Sequence, residues 1–129
     1  ITADSLVIHN NKLLGKPIDS VESVKMLSSL SNSKHEVITG ASICTSTKQY
    51  SFSTKTDVFF SALSEKEIKD YVESEKPFDK AGSYGIQEWI GYIGVEKIIG
   101  CYYNVMGLPL HDIYKVLKKE FPDEFSSEQ

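Results

Sequence analysis

This sequence has little of what a membrane span, a disulfide scaffold or a nucleic-acid surface requires. Its apolar runs, such as Val58-Phe59-Phe60, are far too short to cross a bilayer. The only two cysteines, Cys44 and Cys101, stand far apart in apolar, strand-like sequence. That placement predicts buried free thiols rather than a disulfide, and an intracellular, reducing setting. No signal peptide is legible, and no Asn-x-Ser/Thr acceptor occurs. Basic charge is in deficit: Lys plus Arg is 14 against 18 for Asp plus Glu, a formal net charge of −4. Non-specific nucleic-acid binding needs a basic surface that displaces counterions, so neither nucleic acid nor membrane is an expected partner. A local cluster of lysines that grips a phosphate is still allowed.

The chain has 129 residues, with 40 % hydrophobic, 11 % aromatic and 25 % charged residues. That is the balance of a soluble globular protein, and residues 1–129 are read as one domain. The chain opens on Ile1-Thr2-Ala3-Asp4, directly in a strand-like run. The expectation is therefore a domain whose upstream part is missing.

Ile1 to His9 reads as a mostly buried strand, and Asn10-Asn11 as a turn leading to a short partner at Lys12 to Leu14. Such a hairpin places Asp4 and Lys16 near one end of a sheet. Asp19 and Glu22 have capping-box spacing and open a helix with Val21, Val24, Leu27 and Leu30 on one face. His35 to Cys44 and Tyr50 to Phe60 read as an antiparallel pair. In the second, Tyr50, Phe52, Thr54, Thr56 and Val58 share one side. Ser64 and Glu67 form another capping box, with Ile68, Tyr71 and Val72 as the buried stripe. Phe78 to Gln87 is a glycine-bearing loop, and Trp89 to Ile93 and Ile98 to Val105 read as strands. Pro109 sits in the first turn of a last helix that buries Leu110, Ile113, Tyr114 and Leu117. Lys115, Lys118 and Lys119 lie toward its C-terminal end, and a frayed tail follows from Ser126. The class is α/β with a mixed sheet.

Chemical potential concentrates at Asp4, Lys16, Lys80 and Gln87, each at a strand end or in a glycine-containing loop where side chains can converge on a ligand. Asp4 lies in an apolar strand, and a buried carboxylate needs a partner, a hydrogen bond or a metal. It reads either as a general base or metal ligand, or as a strand-end charge paired with a lysine. Gly15-Lys16-Pro17 lacks the second glycine and the Ser or Thr of a Walker A loop, although its lysine could still be a fixed charge for a phosphate. In Asp79 to Gln87, small residues let amides approach an anion, Lys80 adds charge, and Gln87 offers a donor and an acceptor to a base edge. Gly82 to Gly85 also fits the Gly-x-x-Gly clamp of a KH module, which the acidic balance opposes. His9, His35 and His111 have no partner at metal-ligand spacing, and no nucleophile elbow occurs.

Taken in order, Thr2-Ala3-Asp4-Ser5, Leu14-Gly15-Lys16-Pro17, Met26-Leu27 with Leu30-Ser31, and His35 to Gly40 begin a longer pattern. Thr56 to Phe60, Leu63-Ser64 with Glu67-Ile68 and Tyr71, Asp79 to Gln87, and Asn104 to Pro109 complete it. The set resembles the Maf family of nucleoside triphosphate pyrophosphatases, the septum-formation-inhibitor-like proteins, along nearly the whole chain. The resemblance implies a mixed twisted sheet of the Maf and inosine-triphosphatase type, flanked by helices. It further implies cleavage of a triphosphate to the monophosphate and pyrophosphate. Asp4 would be the proton acceptor and a ligand of a divalent cation, Mg²⁺ or Mn²⁺. Lys16 and Lys80 would neutralise phosphate, while Ser5 and Gln87 would help select the base. The Asp-Lys-Ala-Gly-Ser-Tyr-Gly-Ile-Gln form resembles the subgroup acting on dTTP and UTP, with modified pyrimidine nucleotides also compatible. The resemblance implies a cytoplasmic homodimer too. The family's opening Ser-x-Ser-Pro-Arg-Arg segment is not in this sequence, nor is the acidic residue that follows it. A protein that binds nucleotides or partners on the same scaffold without catalysis is the alternative.

Overall fold

The computed structural model describes residues 1–125. A five-stranded sheet in the order β2-β1-β3-β4-β5 forms the frame. Its strands are β1 (Thr2–His9), β2 (Lys12–Leu14), β3 (Lys34–Cys44), β4 (Gln49–Phe60) and β5 (Val95–Ile99). Every pairing among the described residues is antiparallel, so the expected mixed sheet is corrected to an antiparallel one there. The connections explain this. Asn10 and Asn11, at φ of 51° and 63°, make the left-handed two-residue turn that suits a tight hairpin. β3 and β4 form the long hairpin that strict alternation announced, paired from Lys34–Phe59 to Cys44–Gln49.

One side of the sheet carries Val7 on β1, Val37 on β3, and Val58 and Phe60 on β4, all buried. α1 (Ser20–Leu30) and α2 (Glu65–Glu75) cover these residues with Leu27, Leu30, Ile68, Tyr71 and Val72. Burying a leucine fully contributes roughly 1.5–3 kcal/mol, so Leu27 and Leu30 alone anchor α1. Asp19 caps α1 by accepting the Glu22 N–H at 2.9 Å. At α2 the capping box is reciprocal, Ser64 Oγ taking the Glu67 N–H and Glu67 taking the Ser64 N–H. Farther along the same side, α4 (Tyr102–Met106) and α5 (Leu110–Glu120) cover the remainder of β3 and β4, ahead of the short α6 (Pro122–Phe125).

Several local expectations are corrected. Trp89 to Gly94 is a helix, α3, rather than a strand, and from the second predicted strand only Ile98 and Ile99 lie in β5. A run such as Trp89-Ile90-Gly91-Tyr92-Ile93 fits either period, and only Ile90 within it is buried. Helical winding presses Gly91 against the Ile86 carbonyl, where a Cβ would lie 1.8 Å from the oxygen. Pro109 is the N-cap of α5 rather than part of its first turn. Ile113 is the buried residue of that helix, while Leu110 and Tyr114 are exposed. Val21 is exposed as well, and Ser23 occupies the buried side of α1 instead. Both cysteines are free as expected, but Cys44 is exposed and Cys101 only partly covered. The tail from Ser126 lies outside the described residues.

Candidate functional site

β1 enters a cleft with Asp4 and Ser5. The segment after β2 adds Lys16, and the stretch before α3 adds Asp79, Lys80 and Gln87. The end of α4 closes it with Met106 and Gly107. These residues line one cavity of about 270 Å³. The five positions singled out in the sequence, Asp4, Ser5, Lys16, Lys80 and Gln87, are therefore brought together.

Gly82 is the residue that joins the two lysine-bearing segments. Its N–H donates to the Gly15 carbonyl at 3.1 Å, tying the 79–87 stretch to the turn that carries Lys16. The backbone there is left-handed, at φ +72°, and a Cβ would meet the Val7 side chain at 3.0 Å. Only glycine satisfies both demands cheaply. Next to it, the Ser83 hydroxyl bonds the Ser23 hydroxyl of α1, fixing the stretch from below. The far end is held by Tyr71, whose oxygen accepts the Gly85 N–H at 3.1 Å and whose proton goes to Glu88 Oε1 at 2.6 Å. Burial, and then the bond to Glu88, pushes the Tyr71 hydroxyl well above the ordinary tyrosine range, so it stays a donor.

The charges are arranged asymmetrically. Asp79 accepts from Lys80 Nζ at 3.4 Å. Its own backbone N–H, and then the charges of Lys80 and Lys16, hold its carboxyl below the usual carboxylate range. Asp4 accepts the Ser5 N–H at 3.1 Å through Oδ1. Among the described residues it has no ion-pair partner, so the strand-end pairing with a lysine does not occur. This chain contains no arginine, so the positive charge it gives the cleft is ammonium, point charges rather than planar forks. Two lysines, a free carboxylate and a carboxamide in one cleft can hold a polyanion, take a proton from water and bond a heterocycle edge.

Among the described residues no group of three His, Cys, Asp or Glu side chains could form a protein-only metal cage. An exposed carboxylate without an ion pair suits a hard cation of another kind. Mg²⁺ takes one or two carboxylates and fills its shell with phosphate oxygens and water. Asp4 is the residue that fits this demand.

Three residues behind the cleft escaped the sequence reading. Thr39 and Asn104 are fully buried, and Ser5 Oγ lies 2.8 Å from Thr39 Oγ1. Tyr71 was assigned to the core alone, although its hydroxyl supports the cleft. The signal for Thr39 was available: it is a polar residue on the buried side of an alternating strand, which asks for a partner. Asn104 heads the last stretch of the family pattern, but its place in an expected strand gave no sign that it sits fully buried on α4.

An α/β protein with an antiparallel sheet under helices, and an acid, two lysines and a carboxamide in a cleft at the sheet end, is the class this architecture defines. Comparison with known proteins makes it specific. The model of the family described as Maf-like protein matches residues 1–120. A dTTP/UTP pyrophosphatase of Christiangramia forsetii is 56 % identical over 121 residues, covering 92 % of this chain and 61 % of that protein. One from Bacteroides fragilis is 52 % identical, covering 92 % of this chain and 62 % of the relative. One from Cytophaga hutchinsonii is 49 % identical over all 129 residues and 59 % of its own length. The chain belongs to the Maf family, and it spans about three fifths of the length of the curated relatives it matches.

Proposed function

We propose that the protein containing this chain hydrolyses dTTP and UTP to the nucleoside monophosphate and pyrophosphate. The convergence of Asp4, Lys16, Lys80 and Gln87 on one cavity is the observation that carries this reading. The relatives' names, dTTP/UTP pyrophosphatase, supply the substrate.

In this reading Asp4 accepts a proton from a water that attacks the α-phosphorus. The new P–O bond forms as the bond to the bridging oxygen breaks, and that electron pair leaves with pyrophosphate. Lys16 and Lys80 hold the triphosphate and offset the charge that grows on the leaving group. No covalent intermediate is needed, and positioning supplies much of the rate. Gln87 and Ser5 face the nucleoside. Asp4 would also hold a divalent cation, Mg²⁺ or Mn²⁺, which when bound neutralises phosphate oxygens shared with the substrate. A cytoplasmic homodimer is the setting we propose. The exposed aromatics Trp89, Tyr92 and Tyr103 on α3 and α4 support a partner copy.

Pyrophosphate release from dTTP, UTP, CTP, GTP and ATP, with Mg²⁺ or Mn²⁺, tests this in the full-length protein. Selective turnover of dTTP and UTP is the expected result. No turnover of any nucleotide would overturn the enzymatic reading in favour of a nucleotide-binding protein on the same scaffold.

A further inference from the structure

We propose that Thr39 fixes the polarity of the Ser5 hydroxyl, so that Ser5 meets its ligand only as a hydrogen-bond acceptor. Ser5 then takes an N–H or O–H from the nucleoside half and makes no bond to phosphate oxygen. This rests on reading the cleft as a nucleotide site.

The argument follows the hydrogens. Thr39 Oγ1 lies 3.2 Å from the Asn104 carbonyl oxygen, and a carbonyl can only accept. The single hydroxyl hydrogen of Thr39 is therefore committed to Asn104. Ser5 Oγ is 2.8 Å from Thr39 Oγ1, a bond whose donor geometry alone does not settle. With the Thr39 hydrogen spent, Ser5 has to be the donor. Its own single hydrogen then points into the wall, and what remains for the cavity is lone pairs.

The arrangement is held firmly enough to persist when a ligand binds. Asn104 is fully buried, and its side-chain amide donates to the Val37 carbonyl at 3.2 Å, the Thr54 carbonyl at 3.1 Å and Thr56 Oγ1 at 3.0 Å. Its carbonyl also receives the Gly107 N–H at 3.0 Å, at the point where Gly107 joins the cavity wall. Thr39 is fully buried between these elements. Turning the Thr39 hydrogen toward Ser5 would give up the bond to the buried Asn104 carbonyl, so only the polarity Ser5 to Thr39 to Asn104 makes both bonds within the protein.

An acceptor-only Ser5 sorts the parts of a nucleotide. Phosphate oxygens accept and gain nothing from it, which leaves them to the Lys16 and Lys80 ammonium groups of the same cavity. The donors on the nucleoside half of dTTP or UTP are the imide N3–H of the base and the sugar hydroxyls. Cytosine has no hydrogen at N3, so if the imide is the donor, Ser5 separates uracil and thymine from cytosine. Thr39 acts here through Ser5 and is a positioning residue.

Titration calorimetry of the full-length protein with UMP, N3-methyl-UMP and 2′,3′-dideoxy-UMP tests the proposal without any cleavage step. In the wild type, blocking the imide or removing the sugar hydroxyls weakens binding roughly fivefold, the size of one hydrogen bond. Which change does so identifies the donor. Thr39→Val and Ser5→Ala reduce that difference to less than about twofold. Thr39→Ser, which keeps the hydroxyl, retains it. The proposal is overturned if neither ligand change matters in the wild type. It is equally overturned if Ser5→Ala, or a folded Thr39→Val, keeps the full difference. Should Thr39→Val fail to fold, the partly exposed Ser5→Ala decides alone. Pyrophosphate release from UTP by the same preparations separates the two readings. A wild type that discriminates UMP but cleaves nothing refutes the reaction and leaves the polarity intact, whereas turnover without discrimination refutes the polarity alone.

Discussion

At the scale of single residues, the proposed reaction depends on charge that cannot be replaced by shape. Asp4→Asn keeps the size of the side chain but removes the proposed base. Steady-state kinetics should show kcat lowered about 10²–10⁴-fold, with KM changed far less. Lys80→Gln should act the other way, raising KM for UTP roughly tenfold and flattening the salt dependence of kcat/KM, because the proposed contact of one ammonium with the triphosphate is lost. A third residue, outside the cavity lining, should dominate acid stability. His35 is buried, bonds the Tyr84 hydroxyl through Nε2 at 2.5 Å, and leaves Nδ1 without a partner. Burial first, and then the charge of His9, lowers its pKa from 6.5 to about 4. The unfolded chain takes up this proton near pH 6.5 and the folded one does not. The stability that neutral His35 permits is therefore complete above pH 6.5 and is lost as the pH falls toward 4. Denaturant titrations across that window should show a loss on the order of 3 kcal/mol that His35→Gln largely lacks.

The secondary-structure elements divide by how much of their signal was local. The N-cap of α1, the capping box of α2 and the long β3–β4 hairpin were legible because period and caps are properties of neighbouring residues, although Glu22 does not return the bond that would complete a box at Asp19. Ser64→Ala removes one half of the reciprocal cap on α2 and should cost about 1 kcal/mol in thermal or chemical unfolding, leaving the cleft intact. The short helices α3 and α4 were not legible. Their apolar residues fit a strand equally well, and packing chose between the two. The 79–87 stretch lies between these cases: its glycines marked a loop, but not the bond that joins it to Gly15. Gly82→Ala should show this most directly. The added Cβ faces Val7 in a left-handed backbone, so the segment has to shift, taking Lys80 with it. Both the melting temperature and kcat/KM for UTP should fall, whereas Ser64→Ala lowers only the first.

For the molecule as a whole, the divalent cation of the proposed reaction would be held by Asp4 and substrate, and among the described residues no group of three His, Cys, Asp or Glu side chains could cage another. Chelation with EDTA should therefore abolish pyrophosphate release while leaving the melting temperature within about a degree; a large destabilisation would point to a structural ion instead. The sheet and the cleft were read from the sequence to different depths. Residue order and spacing determined the α/β class, the hairpins, the capped helices and the five candidate positions, because alternation, caps and glycine-bearing turns act over a few residues. Tertiary structure decided that the five described strands pair antiparallel and that α3 and α4 are helical. It also decided that Asp4 has no ion pair and that Ser5 is backed by Thr39 and Asn104. Those outcomes depend on contacts between residues dozens of positions apart. Ser5 and Asn104 are distant in sequence, and only packing α4 onto β3 and β4 places a backbone carbonyl where it can take the hydrogen that leaves Ser5 an acceptor.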